Sequence, residues 1–158
     1  MACWLFKSEP EAWSWEQQKK AGKAGSEWTG VRNYQARNNM RLMKLGEKGF
    51  FYHSNAGKAV VGIVEVAKLA HKDSTADVET WECVDIRALA DVPSPVSLDV
   101  IKADKRLKGM VLVNNSRLSV QPVSEAEWKA ICALGGVDRM YRQQGAGRRS
   151  PRLPAAGL

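Results

Sequence analysis

The run from Trp28 to Met40, WTGVRNYQARNNM, gathers one indole, two arginines, three asparagines, a glutamine and a tyrosine within thirteen residues and contains no acidic side chain. A guanidinium presents a planar fork of donors that fits a phosphate or a base edge. Primary amides carry paired donors and acceptors, and aromatic rings supply stacking faces. This mixture suits a flat, hydrogen-bonding, anionic partner such as a nucleotide.

Bond-breaking chemistry would require a general base, a nucleophile or a metal cluster. The chain offers Ser8, Glu9, His53 and Ser54 for such roles, with His71 as the only other histidine and no paired carboxylates at metal-ligand spacing. Lys7 beside Ser8 invites a Ser–Lys pairing, but adjacent residues on a strand point to opposite faces. The competing readings of the chain are therefore a binding module, a hydrolase or nuclease, and a pocket for a free nucleoside-like metabolite.

Composition narrows the setting. A chain of 158 residues fits one domain able to bury roughly two-thirds of its unfolded surface. The net charge is +7, but five of the 24 Lys and Arg (Arg139, Arg142, Arg148, Arg149 and Arg152) fall after Asp138, where no acidic residue follows. The remaining nineteen face seventeen Asp and Glu. The expected organisation is a near-neutral domain over residues 1–138 and a basic, flexible tail over 139–158, free in solvent or able to reach phosphates through Arg148 and Arg149. Cys3, Cys83 and Cys132 are widely separated, and none lies near a histidine in sequence, so they read as reduced core thiols, and neither a zinc site nor another cofactor is expected. No basic leader or membrane-length apolar run precedes the domain. The expectation is a cytoplasmic protein, nuclear in a eukaryote, not secreted and monomeric by default.

The elements that must position these residues follow from local signals. Residues 2–7 form a short apolar strand ended by Pro10. Ser14-x-x-Gln17 is a capping box opening a helix over 15–21, and Asn33 can cap a helix over 34–44 with Gly46 at its left-handed end. Residues 49–54 and 59–70 read as strands joined by a turn at 55–58. The segment 82–92 is a strand ended by Pro93 and Pro95, Ser97 opens a small helix over 98–103, and 117–123 is a strand near an edge. Ser124-x-x-Glu127 opens a last helix closed by Gly135 and Gly136. Strands without regular helix alternation, and no internal repeat, predict an α+β domain: a small, curved, barrel-like sheet of about five to six strands with peripheral helices.

Six segments, WLFKSEP (4–10), WSW (13–15), GVRNYQARNNM (30–40), FFYHSN (50–55), VGIVEV (61–66) and SRLSVQPV (116–123), resemble the EVE domain family in order and spacing. The resemblance spans about residues 3–137 and implies a PUA-like fold related to the YTH domain, with a pocket beside the barrel that accepts a modified base. It further implies a DNA or RNA partner carrying that base, for instance a modified cytosine such as 5-methylcytosine, and no catalysis. The enzymatic alternative then becomes a hydrolase or nuclease acting on modified nucleic acid. Carried onto this chain, the resemblance puts Lys7 and Ser8 at the pocket mouth, Trp28 in one wall of an aromatic cage and Trp81 in the opposite wall. Asn33 and Asn38 would read a base edge, and His53 and Ser54 would sit at a strand end near the pocket. Arg32 would reach the nucleotide and Arg37 its phosphate. From the residues alone, Trp28 could instead anchor a core, Asn33 could simply cap its helix, and either arginine could pair with a carboxylate such as Glu9. On the capping and periodicity arguments, the Trp28–Met40 run is a helix packed against the barrel with a binding lip at its start.

Overall fold

A computed structural model of the protein describes residues 2–55 and 57–142. Six strands form one mixed sheet: β1 (Cys3–Ser8), β2 (Ser26–Glu27), β3 (Lys48–His53), β4 (Ala59–Lys72), β5 (Glu82–Ser97) and β6 (Val120–Val123). Their order is β2-β5-β4-β3-β1-β6, so among the described residues the sheet does not close on itself. β1 runs parallel to β3, from Cys3 opposite Lys48 to Ser8 opposite His53, while every other pairing is antiparallel. The α+β, PUA-like expectation holds, with a curved open sheet in place of a closed barrel. Among the described residues, no helix is long and apolar enough to cross a membrane.

Alternation along each strand feeds two cores. Cys3, Leu5, Phe50, Tyr52, Val60 and Ile63 face a cluster covered by α3 (Leu98–Ala103) and α5 (Glu125–Gly135), where Phe50 stacks on Trp128 at 4.0 Å. Trp4, Phe6, Phe51, Val64 and Val66 face the other way, against α1 (Trp15–Lys20) and α2 (Tyr34–Leu42). A sheet covered on both faces explains why the start of β4 is apolar without alternation.

The capping boxes at Ser14 and Ser124 and the caps at Asn33 and Ser97 all form as the sequence predicts. Three local expectations need correction, and one strand had no counterpart in them. β5 continues past Val92 through Pro93 and Pro95, because its register against β4 shifts between Gly62–Asp91 and Val60–Val96, leaving the prolines outside the ladder where a missing N–H costs nothing. α2 stops at Leu42, and Gly46, at φ +82°, instead turns the chain so that its N–H reaches Val66 O at 2.9 Å. β6 covers only Val120–Val123 of the strand expected over 117–123. β2 has no pattern of its own and exists through Gly25, where a Cβ would lie 2.6 Å from Ile86 O.

Beyond Asp138, Arg139–Arg142 form a helical turn that follows α5 and a short α4 (Val111–Asn114); we call it α6. Tyr141 is buried there, and its carbonyl accepts a hydrogen bond from Trp128 Nε1 at 2.8 Å. The rest of the expected tail, with Arg148 and Arg149, lies outside the described residues.

Trp15 is one of the side chains that lock helix α1 to the sheet. The Trp15 indole lies over Gly62 of β4, where an added Cβ would sit 2.3 Å from the ring, and its Nε1 donates to Asp91 Oδ1 at 2.7 Å. Gly62→Ala is therefore expected to destabilise the domain by about 1–3 kcal/mol through overpacking, read as a lower urea midpoint with unchanged slope.

Candidate functional site

At the end of β1, which lies beside the end of β3, the chain leaving the sheet and the segment that leads into α2 enclose a cleft of about 520 Å³. Its lining comes from the end of β1 and the turn after it (Lys7, Ser8, Glu9, Ala12 and Trp13), from the segment Ser26–Arg32 leading into α2, and from Ser119. The volume suits a small aromatic ligand or a single base.

Two buried side chains hold the walls. Gln18 of α1, fully buried, accepts a hydrogen bond from Trp13 Nε1 at 2.8 Å and donates to Ile86 O at 3.0 Å, tying the half-buried Trp13 to β5. Asp73, also fully buried, accepts from Gly30 N at 2.8 Å and Arg32 Nη1 at 3.1 Å, fixing the opposite segment. Burial alone would raise the Asp73 carboxyl, but hydrogen bonds from Thr75, Gly30 and Arg32 outweigh it and hold the group at about 2.

Of the residues singled out in the sequence, Lys7, Ser8, Trp28 and Arg32 line the cleft. Trp28 lies at its floor, only 6% exposed, edge-on to Phe6 at 5.3 Å and to Phe51 at 5.6 Å, so it is both a core residue and a lining residue. Arg32 pairs with Asp73 rather than Glu9 and lies 5.7 Å from the Trp81 ring. Trp81 packs on Tyr34 at 5.0 Å, outside the cleft. Asn33 spends its side-chain oxygen on Ala36 N at 2.9 Å. Asn38 accepts from Arg37 Nη2 at 2.8 Å, while Arg37 Nη1 donates to Thr80 O at 3.0 Å. None of these three lines the cleft. His53 Nε2 accepts the Trp15 backbone N–H at 3.0 Å, and Ser54 lines a neighbouring groove. Trp13 carried the missed signal: it opens the WSW motif, but only the position of α1 turns it toward the cleft.

A family model described as the EVE domain matches residues 2–134. The chain belongs to the EVE domain family. Human thymocyte nuclear protein 1 is 34% identical to it, over 83% of this chain and 72% of the relative. A solved protein from Agrobacterium tumefaciens is 56% identical with a TM-score of 0.85, covering 96% of this chain and all of that one. Human thymocyte nuclear protein 1, solved in complex with DNA containing 5-methylcytosine, aligns with a TM-score of 0.79 at 33% identity, covering 87% of this chain and 99% of that one. A YTH domain from Zygosaccharomyces rouxii, 19% identical with a TM-score of 0.53, shares the fold.

In this EVE domain the candidate catalytic groups are occupied separately. Ser8 Oγ donates to Trp13 O at 2.6 Å, while Lys7 Nζ turns to Ser116 O. No cysteine lies near a histidine in sequence, but in three dimensions the β4–β5 register sets His71 opposite Cys83. Glu27, His71 and Cys83 bring potential metal-ligand atoms within 4.8 Å of one another. Hydrogen bonding already engages them: Glu27 accepts from Ser74 Oγ at 2.8 Å and from Cys83 at 3.6 Å, and the His71 ring bonds Asp85 at 2.7 Å and Lys72 O at 2.9 Å. Burial, then the Glu27 charge, pushes the Cys83 thiol up to about 12.

Two outcomes follow, one from the wall support Gln18 and one from His53, which anchors the start of α1. Gln18→Met removes the acceptor of the Trp13 N–H and a donor to the Ile86 carbonyl and should cost about 1–3 kcal/mol in denaturant unfolding. Burial lowers the pKa of His53, whose ring must stay neutral to accept from Trp15. The unfolded chain then binds the proton first as pH falls below about 6.5, so the His53 contribution is complete above that pH and is lost toward the lower folded value. The stability difference between wild type and His53→Gln, followed by thermal unfolding, should shrink over that interval; a pH-independent difference would contradict the neutral-acceptor role.

Proposed function

We propose that this EVE domain binds DNA carrying a modified cytosine, taking the base into the cleft between Trp13 and the Trp28 floor without breaking a bond. The observation that carries the reading is a base-sized cleft with two tryptophans in its lining, in a chain that aligns over 87% of its length with a relative solved on DNA containing 5-methylcytosine. The separate engagement of Ser8, Lys7 and His53 supports binding over hydrolysis. Such a module would work where DNA is held, in the nucleus of a eukaryote or the cytoplasm of a bacterium.

Affinity and identity come from different groups. Stacking on an exposed tryptophan contributes ~1–3 kcal/mol per base whichever base is present, and the half-buried Trp13 is the ring available for it. Identity requires a polar partner for the base edge. Cytosine presents an exocyclic amine that donates to a carboxylate, whereas thymine presents a carbonyl oxygen at the same place. Two carboxylates line the cleft: Glu27 is engaged by Ser74 and Cys83, while Glu9 has no side-chain partner among the described residues. Glu9 is therefore the acceptor we assign to the amine, and Ala12 and Val31 give the lining an apolar part for a methyl group. Filling such a recess with one methyl contributes about 1–3 kcal/mol.

Oligonucleotides bearing one 5-methylcytosine, cytosine or thymine at the same position separate these terms by fluorescence anisotropy. The wild type should prefer 5-methylcytosine over both others and leave every strand intact after incubation. Trp13→Ala should weaken all three by about 1–3 kcal/mol. Glu9→Ala should narrow the gap between 5-methylcytosine and thymine by about 1–3 kcal/mol while leaving the preference for the methyl group. Cleaved or deglycosylated product would overturn the binding-only reading, and an unchanged 5-methylcytosine to thymine ratio would remove Glu9 from base recognition.

A further inference from the structure

Beside the cleft runs a second depression of about 430 Å³, and the two share Lys7, Glu9 and Ser119. Its polar side carries Lys7, Lys58 and Arg117, with Leu98 and Leu112 among its apolar lining. Three cations face a single carboxylate, Glu9. Among the described residues neither Lys58 nor Arg117 makes an ion pair. Lys7 is held at the junction by its bond to Ser116 O, and its pKa is lowered by burial first and by the Lys58 charge second. Like charges set close together without a counterion are unfavourable for the protein alone and become favourable when an anion joins them.

We propose that this groove is the track for the sugar–phosphate backbone of the strand whose base occupies the cleft, with Lys58 and Arg117 each neutralising one flanking phosphate and Lys7 at the junction. The assignment rests on the base-binding reading above and names the path of the polymer. It replaces Arg37, which is committed to Asn38, Thr80 and the Tyr34 face and lines neither depression. Two features favour a phosphodiester strand over a free anion. The groove is continuous with the cleft, and its charges are spread along it from the end of β1 through the segment before β4 to the turn before β6. Apolar side chains between the charges suit sugars better than water.

The test uses the full chain and a single-stranded oligonucleotide with one 5-methylcytosine, titrated over a series of salt concentrations, with the unmodified strand in parallel. Each phosphate contact contributes about 0.7 to the slope of log affinity against log salt on a single strand and about 0.9 on a duplex. Lys58→Gln with Arg117→Gln should lower the slope by about 1.4 on the single strand and leave the preference for the modified base unchanged. Lys68→Gln with Lys72→Gln removes the same charge from the exposed far end of β4 and should leave the slope as in wild type. Circular dichroism confirms that each variant folds, and Lys58→Glu alone provides a second variant that should weaken binding of both strands equally. An unchanged slope in the Lys58/Arg117 variant, or an equal fall in the Lys68/Lys72 variant, overturns the track. If wild type shows no preference for the modified strand yet the slope falls only in the Lys58/Arg117 variant, the base-binding reading fails and the track stands.

Discussion

Everything about the position of this site depends on a sheet buried on both faces. β1 and β3 send alternate side chains into two separate cores, so both faces of these strands are packed over most of their length and become accessible toward their ends. Polar recognition is then confined to the strand ends, where backbone groups leave the ladder and side chains become accessible. The parallel pairing of β1 with β3 brings two such ends together at Ser8 and His53. One departing segment carries Glu9 and Trp13 toward the cleft, and the other leads toward Lys58 and the groove. The cleft and its neighbour both follow from this pairing.

How much could be read in the sequence divides along the range of the interactions involved. Caps at Ser14, Asn33, Ser97 and Ser124 are contacts within three residues, and each was legible because the signal and its partner lie in one short window. The apolar runs that became strands were legible for the same reason. Pro93 and Pro95 misled because their tolerance comes from a register shift against β4, a property of two strands distant in sequence. β2, two residues long, is defined by pairing with β5 and has no periodicity to find. The juxtaposition of His71 with Cys83 was hidden by the loop between two long strands.

The site residues follow the same division. Trp28 was legible as a residue of the cleft but not as its floor, because exposure depends on Phe6 and Phe51 arriving from two other strands. Trp81 sits close in sequence to the start of β5, yet its ring closes over Tyr34 and Arg32 on the outer side of α2. Much of the Trp28–Met40 run is spent on building the helix: Asn33 caps it, Ala36 and Met40 are fully buried, and Arg37 and Asn38 satisfy each other. A run rich in nucleotide-binding residue types thus lines the cleft only with its first five residues, Trp28–Arg32, and is scaffold thereafter.

Differences of a few kcal/mol between similar ligands survive only where the walls of a cleft do not move to absorb them. The two wall supports supply that rigidity from below the surface. Gln18 and Asp73 are both fully buried, each spans two elements, and each is satisfied only when the wall it holds is in place. A wall that swung away would leave buried polar atoms without partners, at a cost of about 1–3 kcal/mol each. The rigidity of the cleft is therefore stored in hydrogen bonds behind its walls, and among the described residues the Glu9 carboxylate is left out of them.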